Sequence, residues 1–438
     1  MSTNLEEKAL QYHETPRPGK LEVLPCKSCF TIDDLTVAYS PGVAVPCLEI
    51  EKDKANSARY TNRSNLVGVI SNGTAVLGLG NIGAYASKPV MEGKGLLFKI
   101  YADVDVFDIE LDISKPETLI EVIKTMEPTF GAINLEDIKA PECFYVEQRL
   151  REEMNIPVFH DDQHGTAVIT GAALLNAAHL TGRMLQDMKC VVSGAGAAGI
   201  ACAKFYMALG VRRENIYMFD SKGLIHVGRL DLHPTKAMFA QSEDCTMEVA
   251  LQGADIFLGL SKKGLLKQDM VRSMAPNPII FACANPDPEI TYTEAKEARP
   301  DCIMGSGRSD WPNQVNNVSC FPYIFRAALD MQATTINEAM KIAAARALAD
   351  LARESVPAEV VQANGGVPLE FGLDYIIPKP FDPRMIEYLC PAIAEAAVIS
   401  GVARRPMPDK AEYIARLKQR VESVHQRTHA LVDSYKAN

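Results

Sequence analysis

Acidic side chains are concentrated in two short segments whose other residues are largely apolar. Glu136 and Asp137 follow one apolar run, and Asp161 and Asp162 follow another. Four neighbouring carboxylates repel one another and are costly to desolvate unless a cation compensates them. Hard divalent ions such as Mg²⁺ and Mn²⁺ prefer such oxygen ligands. On spacing alone, two solvated acidic turns are the commoner explanation, so the neighbouring motifs decide.

One residue before the acidic segments is a candidate for proton transfer, and a tyrosine near a turn precedes it. Lys94 lies between two glycines, before an apolar run at 96–101 that predicts a strand. Partial desolvation there would lower the pKa of the amine and make it usable as a base near neutral pH. Tyr39 is predicted near the end of an extended piece, just before the turn signal at 41–42. A surface lysine and a half-buried packing tyrosine are the ordinary alternatives.

A glycine pattern after the acidic segments has the context of a dinucleotide-binding motif. A predicted strand at 189–193 enters the GxGxxG pattern at 194–199, a helix continues to 209, and a strand at 216–219 ends in Asp220. This order brings the pyrophosphate to a helix N-terminus. The predicted cofactor-binding residues are Gly194, Ala195, Gly196, Ala197, Ala198, Gly199, Asp220, Ser221 and Lys222. Asp220 favours a free ribose 2′-hydroxyl and hence NAD, whereas Lys222 could accept the 2′-phosphate of NADP; both stay open.

An earlier GxGxxG match at 78–83 lacks this context. A predicted hairpin at 65–77 precedes it, and Pro89 and two glycines interrupt any helix after it. The fingerprint requires a full strand–helix–strand unit. We therefore interpret 78–83 as a tight loop that positions the segment around Lys94.

The remaining chain supplies strands and amide side chains. Predicted strands at 254–260 and 278–282 continue the second unit, and Asn285 follows the latter, beside the expected nicotinamide end. Asn316 and Asn317 can hold a carboxylate without adding charge. Each amide taken alone is better explained as a loop cap. In the first half, strands near the acidic segments alternate with helices, which indicates an α/β fold.

Composition limits the possible partners. The 438 residues are 47% hydrophobic and 23% charged, with a net charge of −10, which is typical of a globular protein. This charge argues against a nucleic-acid partner. We expect no membrane span and no secretory leader, and hence a cytoplasmic protein. Of the 11 cysteines, the CxxC at 26–29 could bind zinc, but reduced thiols are the favoured interpretation.

Taken together, these segments resemble malic enzymes of the compact bacterial type. The motifs that carry the resemblance span most of the chain in this order: AYSPGV (38–43), EGK (92–94), LED (135–137), HDDQHGTA (160–167), the glycine pattern (194–199), ANP (284–286), NN (316–317) and IIPKPFDPR (376–384). The resemblance implies an N-terminal α/β malic-type domain at 1–163 and a Rossmann-like NAD(P)-binding domain at 164–438 that ends in a helical segment.

The resemblance also implies residue roles. Tyr39 would be the general acid and Lys94 the general base, with Asp161 near the lysine. Glu136, Asp137 and Asp162 would bind Mg²⁺ or Mn²⁺, and Asn285 with Asn316 or Asn317 would contact the substrate or the nicotinamide. Larger animal members carry a carboxylate-binding arginine in the segment equivalent to 73–77, where this chain has Thr74 and Ala75. How the second substrate carboxylate is held is therefore open.

The implied reaction is metal-dependent oxidative decarboxylation of (S)-malate to pyruvate and CO₂ with reduction of NAD or NADP. One alternative is a malolactic-type enzyme that retains NAD and releases lactate. Another, from a different class, is a non-catalytic dinucleotide-binding regulatory module. The resemblance further implies a homodimer or higher homo-oligomer, for which the apolar helices near 385–403 could form an interface.

Overall fold

The computed structural model describes residues 3–436. Residues 1–2 of the first predicted domain and 437–438 of the second lie outside the described residues. Two β-sheets organise the fold. The first is parallel throughout, and the second is parallel apart from one short antiparallel edge strand. In parallel sheets all strands end at the same edge, so polar residues that follow different strands can meet there.

The first sheet has the strand order β2-β1-β3-β4. Its central strands are buried along their whole length, as expected for parallel strands covered on both faces. The elements of this half are α1 (Thr3–Glu14), α2 (Ile32–Ala38), α3 (Ala44–Lys52), α4 (Ser57–Tyr60), β1 (Leu66–Ser71), α5 (Ala84–Ala102), β2 (Asp105–Glu110), α6 (Pro116–Thr125), β3 (Ala132–Leu135), α7 (Glu142–Glu153) and β4 (Val158–His160).

Helix α5 replaces the strand that we predicted at 96–101. The buried residues Met91, Gly95, Phe98 and Ala102 recur at the helical period, so one face of α5 packs on the core despite the internal Pro89. A Cβ at Gly95 would lie 2.6 Å from the side chain of Leu21, so this glycine permits close packing rather than ending the helix. Lys94 therefore lies within a helix.

The predicted hairpin at 65–77 is also wrong. Strand β1 pairs in parallel with β2 and β3, and the segment after it forms only an isolated bridge between Val76 and Gly80. The extended piece predicted before Tyr39 is instead α2, which begins with a reciprocal capping box between Thr31 and Asp34. Local capping and burial of β1 between two neighbours override the turn signals in both places.

The second sheet has the order β10-β9-β8-β5-β6-β7 and contains the predicted nucleotide-binding strands. Strand order reverses at β5, so a crevice between β5 and β8 is the expected ligand site. Its elements are α8 (Asp161–Thr181), β5 (Cys190–Ser193), α9 (Ala197–Leu209), β6 (Ile216–Asp220), β7 (Gly223–Leu224), α10 (Pro234–Ala237), α11 (Met247–Leu251), β8 (Ile256–Gly259), α12 (Gln268–Ser273), β9 (Ile279–Ala282), α13 (Tyr292–Ala298) and β10 (Ile303–Ser306).

The C-terminal part is helical, as predicted. It contains α14 (Phe321–Asp330), α15 (Glu338–Arg353), α16 (Ala358–Ala363), α17 (Met385–Ile399) and α18 (Lys410–Lys436), and short 3₁₀ turns occur at Lys54–Asn56, Asn62–Asn65, Leu185–Asp187, Arg213–Asn215 and Asn317–Ser319. Helix α17 packs against α14 and α15, so contacts within the chain account for most of its apolar residues. None of the described helices is both long and apolar enough to cross a bilayer.

Candidate active site

Three carboxylates from two neighbouring strand ends converge. Glu136 and Asp137 follow β3, and Asp162 lies in the first turn of α8, directly after β4. Because Leu135 pairs with His160 in the parallel register, the residues after them are adjacent. One oxygen from each of the three carboxylates lies within 4.8 Å of the others, and the part of the chain that the structure describes holds no other such group.

The electrostatics of this cluster favour a bound cation. Burial is the main cause that raises the pKa of Glu136 well above its usual range and that of Asp137 to about 7, and the neighbouring carboxylates add to both shifts. Asp137 Oδ2 is buried without a hydrogen-bond partner among the described residues. An all-oxygen set with a free buried lone pair fits Mg²⁺ or Mn²⁺.

Lys94 is the cation that contacts this cluster. Its Nζ donates to Asp161 Oδ2, lies 3.1 Å from Glu136 Oε1 and sits 4.2 Å above the ring centre of Phe321. Burial alone lowers the Lys94 pKa, but Asp161 and Glu136 raise it, and the net direction is upward. The prediction that the pKa of Lys94 is lowered is therefore wrong for the chain on its own, because the attraction of the carboxylates outweighs desolvation.

Asp161 is fully buried and linked to an amide that the sequence analysis selected. Asn317 Nδ2 donates to Asp161 Oδ2 at 3.1 Å, and Thr166 Oγ1 donates to Asn317 Oδ1 at 3.2 Å. A Cβ at Gly165 would lie 2.1 Å from Asp161 Oδ1, so only glycine fits. Asn316 Oδ1 instead accepts the backbone N–H of Val318, so Asn316 caps the 3₁₀ turn at Asn317–Ser319.

Tyr39 is not among the residues that contact the cluster. It ends α2, is 70% exposed, and its hydroxyl forms no hydrogen bond with the described residues. Helix α2 has no buried residue. Within one chain, the structure thus brings together Lys94, the carboxylates and Asn317, and leaves the tyrosine at the surface.

The loop at 73–83 lies between the carboxylates and the second half of the chain. The backbone N–H of Ala75 donates to Asp137 O at 2.9 Å, and a Cβ at Gly78 would lie 2.3 Å from Asn285 O. The loop therefore packs directly on the segment that follows β9. These contacts place the exposed Asn285 beside the loop, and they join the loop to Asp137 and Asn285 rather than to the segment around Lys94 that we predicted it to position.

The second glycine pattern forms a tight strand–helix turn. Gly194 has φ +114°, and a Cβ there would lie 2.4 Å from Leu260 O. A Cβ at Gly199 would lie 1.8 Å from Gly194 O, so this glycine lets α9 pack closely on the turn. The space around Gly196 is open, and α9 has no side-chain cap. These features match the glycine functions of a pyrophosphate-binding turn.

Two basic residues that the sequence analysis missed surround Asp220. Arg229 donates to both Asp220 oxygens at 2.8 and 3.0 Å, and Lys236 Nζ donates to Oδ2 at 3.0 Å. Although burial opposes it, these contacts and the Lys222 backbone N–H lower the pKa of Asp220 to about 2. Lys222 itself pairs with Asp231. The basic residues that follow the second strand of the unit were the signal available in the sequence.

Comparison with known proteins matches both halves of the chain. The sequence model described as "Malic enzyme, NAD binding domain" matches residues 163–362, and that described as "Malic enzyme, N-terminal domain" matches 18–119 and 113–151. An "NADP-dependent malic enzyme" of Halomonas elongata is 55% identical over 93% of this chain and 97% of its own length. The chain belongs to the malic enzyme family.

Two further relatives of this malic enzyme family member bear on its fold and length. The "NADP-dependent malic enzyme" of Escherichia coli K12 is 58% identical over 96% of this chain but only 56% of its own length, so the chain spans about half of that relative. The malic enzyme structure from Pyrococcus horikoshii Ot3 is 38% identical, covers 99% of both chains and superposes with a TM-score of 0.90. The α/β fold with a second, nucleotide-binding half is therefore that of the family.

Proposed function

We propose that this chain catalyses the divalent-metal-dependent oxidative decarboxylation of (S)-malate to pyruvate and CO₂, with reduction of a nicotinamide dinucleotide. The observation that carries the proposal is the contact of Lys94 with Asp161 and Glu136 beside three converging carboxylates. The names of the relatives support it. We further propose that residues 1–163 supply the metal and proton-transfer groups and residues 164–438 bind the nucleotide.

The positions of Lys94, Asp161 and Asn317 support the roles that we propose for them, and the role of Tyr39 is carried over from the resemblance to the family. Lys94 Nζ accepts the proton of the substrate 2-hydroxyl while C2 loses hydride, and Asp161 with Asn317 orients that amine. Once the β-carboxylate has left as CO₂, Tyr39 delivers a proton to C3. With the charge of Glu136 and Asp162 compensated, the site attracts the Nζ proton less, which makes the amine available as a base.

The bound groups supply the remaining chemistry. Glu136, Asp137 and Asp162 would hold Mg²⁺ or Mn²⁺, and such an ion would supply Lewis-acid chemistry. The glycine turn at 194–199 would hold the dinucleotide, which accepts the hydride. Asn285 would contact the nicotinamide end or the substrate, beside the loop at 73–83.

Replacing the proposed base tests the proton-transfer assignment. Lys94→Ala should lower malate oxidation by at least about 10²-fold, the scale of a lost proton-transfer group, while calorimetry should detect unchanged nucleotide binding. Lys88→Ala removes a lysine from the same helix that pairs with Asp108 and serves as the control. Turnover by Lys94→Ala close to that of the control would refute the assignment.

Replacing one proposed ligand tests the metal site. Glu136→Gln should weaken Mn²⁺ binding by about 10-fold or more, because a charged oxygen ligand is lost. Electron paramagnetic resonance of free Mn²⁺ measures this without turnover. Glu142→Gln, a partly exposed acid on α7 that pairs with Lys139, is the control. An unchanged Mn²⁺ titration for Glu136→Gln would remove it from the ligand set.

We also propose that NADP is the preferred nucleotide. An acid at the end of β6 ordinarily disfavours a 2′-phosphate, but here Arg229 and Lys236 already neutralise Asp220. Among the described residues, Lys222, Arg229 and Lys236 form ion pairs only with Asp220 and Asp231. One cationic charge therefore remains for an anionic ligand, which supports the preference expressed in the names of several relatives.

Arg229→Ala tests this preference. The KM for NADP should rise by about 10-fold or more, since charge-assisted hydrogen bonds contribute at this scale, and the KM for NAD should change much less. Initial rates with each nucleotide, at saturating malate and Mn²⁺, give both values. Arg212→Ala, which removes an exposed arginine paired with Asp187, should change neither. Equal effects on NAD and NADP would exclude a 2′-phosphate contact.

We propose that the chain assembles as a homo-oligomer through the N-terminal segment 23–48. Its apolar side chains are unusually exposed, with Phe30 at 94% and Ile32 at 82%, and a contiguous exposed apolar surface marks an interaction site. A second copy is the proposed occupant. Docking of a second copy would also cover Tyr39, which lies within this segment and is 70% exposed.

Phe30→Asp should disrupt this assembly, because it places a charge on the apolar surface. Sedimentation velocity should report a smaller particle than for the unaltered chain, and malate oxidation should fall with it. Val227→Asp alters an exposed apolar residue of the nucleotide-binding half and should leave the size unchanged. An unchanged sedimentation coefficient for Phe30→Asp would contradict the proposed interface.

A further inference from the structure

Glu289 is a fully buried carboxylate that the proposed mechanism does not use. Its Oε1 accepts the backbone N–H of Ser261 at 2.8 Å, and its Oε2 accepts the backbone N–H of Ala284 at 3.2 Å. Ser261 Oγ in turn lies 2.8 Å from Ser193 Oγ. A buried acid without a counter-ion is costly, so this arrangement of donors is what makes the position tenable.

These donors belong to three neighbouring strand ends. Ser193 is the last residue of β5, Ser261 follows β8, and Ala284 follows β9. The crevice between β5 and β8 is where strand order reverses, and ligands of such sheets bind there. A Cβ at Gly259 would lie 2.4 Å from Glu289 Cδ, so the last residue of β8 leaves space for this carboxylate.

The carboxylate also fixes the segment that carries Asn285. Ala284, whose N–H it accepts, directly precedes Asn285, and the loop at 73–83 packs on Asn285 from the other side. Asn285 is itself exposed. Its position is therefore set by the backbone on either side of it rather than by its own burial.

We propose that Glu289 is a positioning residue of the active site: by holding the ends of β8 and β9 together, it aims Asn285 into the nucleotide crevice. This inference rests on the proposed function. Both carboxylate oxygens accept N–H donors, so the isosteric glutamine would turn an amide NH₂ toward one of them. The strand ends would separate, although the side-chain volume is unchanged.

Glu289→Gln should lower kcat/KM for malate by about 10-fold or more, since an unpaired buried donor shifts equilibria on that scale. The dissociation constant for NADP⁺, measured by calorimetry, should rise as well. In the Asn285→Ala background, Glu289→Gln should have little further effect on kcat/KM, because the two changes act through one contact. Rates are expressed per bound NADP⁺, so that a lower folded fraction does not mimic the result.

The control is Glu294→Gln on α13. The side chain of this exposed acid also accepts a backbone N–H, that of Thr291 in a capping box, and its replacement should lower the melting temperature without changing kcat/KM. If Glu289→Gln does not fold, Glu289→Asp is measured in the same double-mutant cycle. This variant keeps the charge but has a side chain that is shorter by one methylene group.

The outcomes separate the two proposals. If Glu289→Gln lowers kcat/KM by the same factor in the unaltered chain and in the Asn285→Ala chain, the positioning role is overturned. A lower melting temperature with unchanged kinetics would overturn it as well. The proposed function fails if the unaltered chain reduces NADP⁺ in the absence of malate. It also fails if the chain does not reduce NADP⁺ when malate is present. The calorimetric comparison then decides the role of Glu289: a weaker NADP⁺ affinity supports it and an unchanged affinity overturns it.

Discussion

One buried ammonium group opposes four carboxylates, and much of the first half of the chain serves to hold this arrangement. Lys94 reaches Asp161 and Glu136 from helix α5, while Asp137 and Asp162 lie next to them. The first turn of α8 stabilises Asp161 and Asp162, because a helix N-terminus favours negative charge. Burial, and to a smaller extent the neighbouring carboxylates, raise the pKa values of Glu136 and Asp137, because a single cation cannot balance four acids in this buried site.

The geometry that brings these groups together follows from parallel pairing. The register of β3 and β4 aligns Leu135 with His160, so the acids that come next are neighbours. The same logic places Ser193, Ser261 and Ala284 at one edge of the second sheet, where Glu289 bonds to the last two. In both sheets the chemistry lies where strands end, and glycines at 165 and 259 leave space for the carboxylates there.

The sequence predicted the strand ends better than the segments between them. The short apolar runs before Glu136 and Asp161 predict buried strands, so these two residues could be assigned to strand ends from the sequence. The secondary structure around Lys94 could not be predicted in this way. Gly93 and Gly95 suggest a loop, whereas tertiary packing of α5 against Leu21 and the core favours a helix. The direction of its pKa shift was also beyond the sequence, since desolvation and the attraction of acids oppose each other and only the distances decide between them.

Asp220 illustrates why a residue type at a motif position has no fixed meaning. The acid at the end of the second strand of a dinucleotide-binding unit is a sign of NAD when its lone pairs are free for the ribose. Here Arg229 donates to both oxygens and Lys236 adds a third contact, so the lone pairs of the carboxylate are already engaged by two cations. These partners lie in the segment after β7, outside the motif, and their contacts depend on how that segment folds back onto β6. The nucleotide preference that we propose thus depends on the balance of charge among Asp220, Asp231 and the three basic residues around them, and Asp220 contributes only one part of that balance.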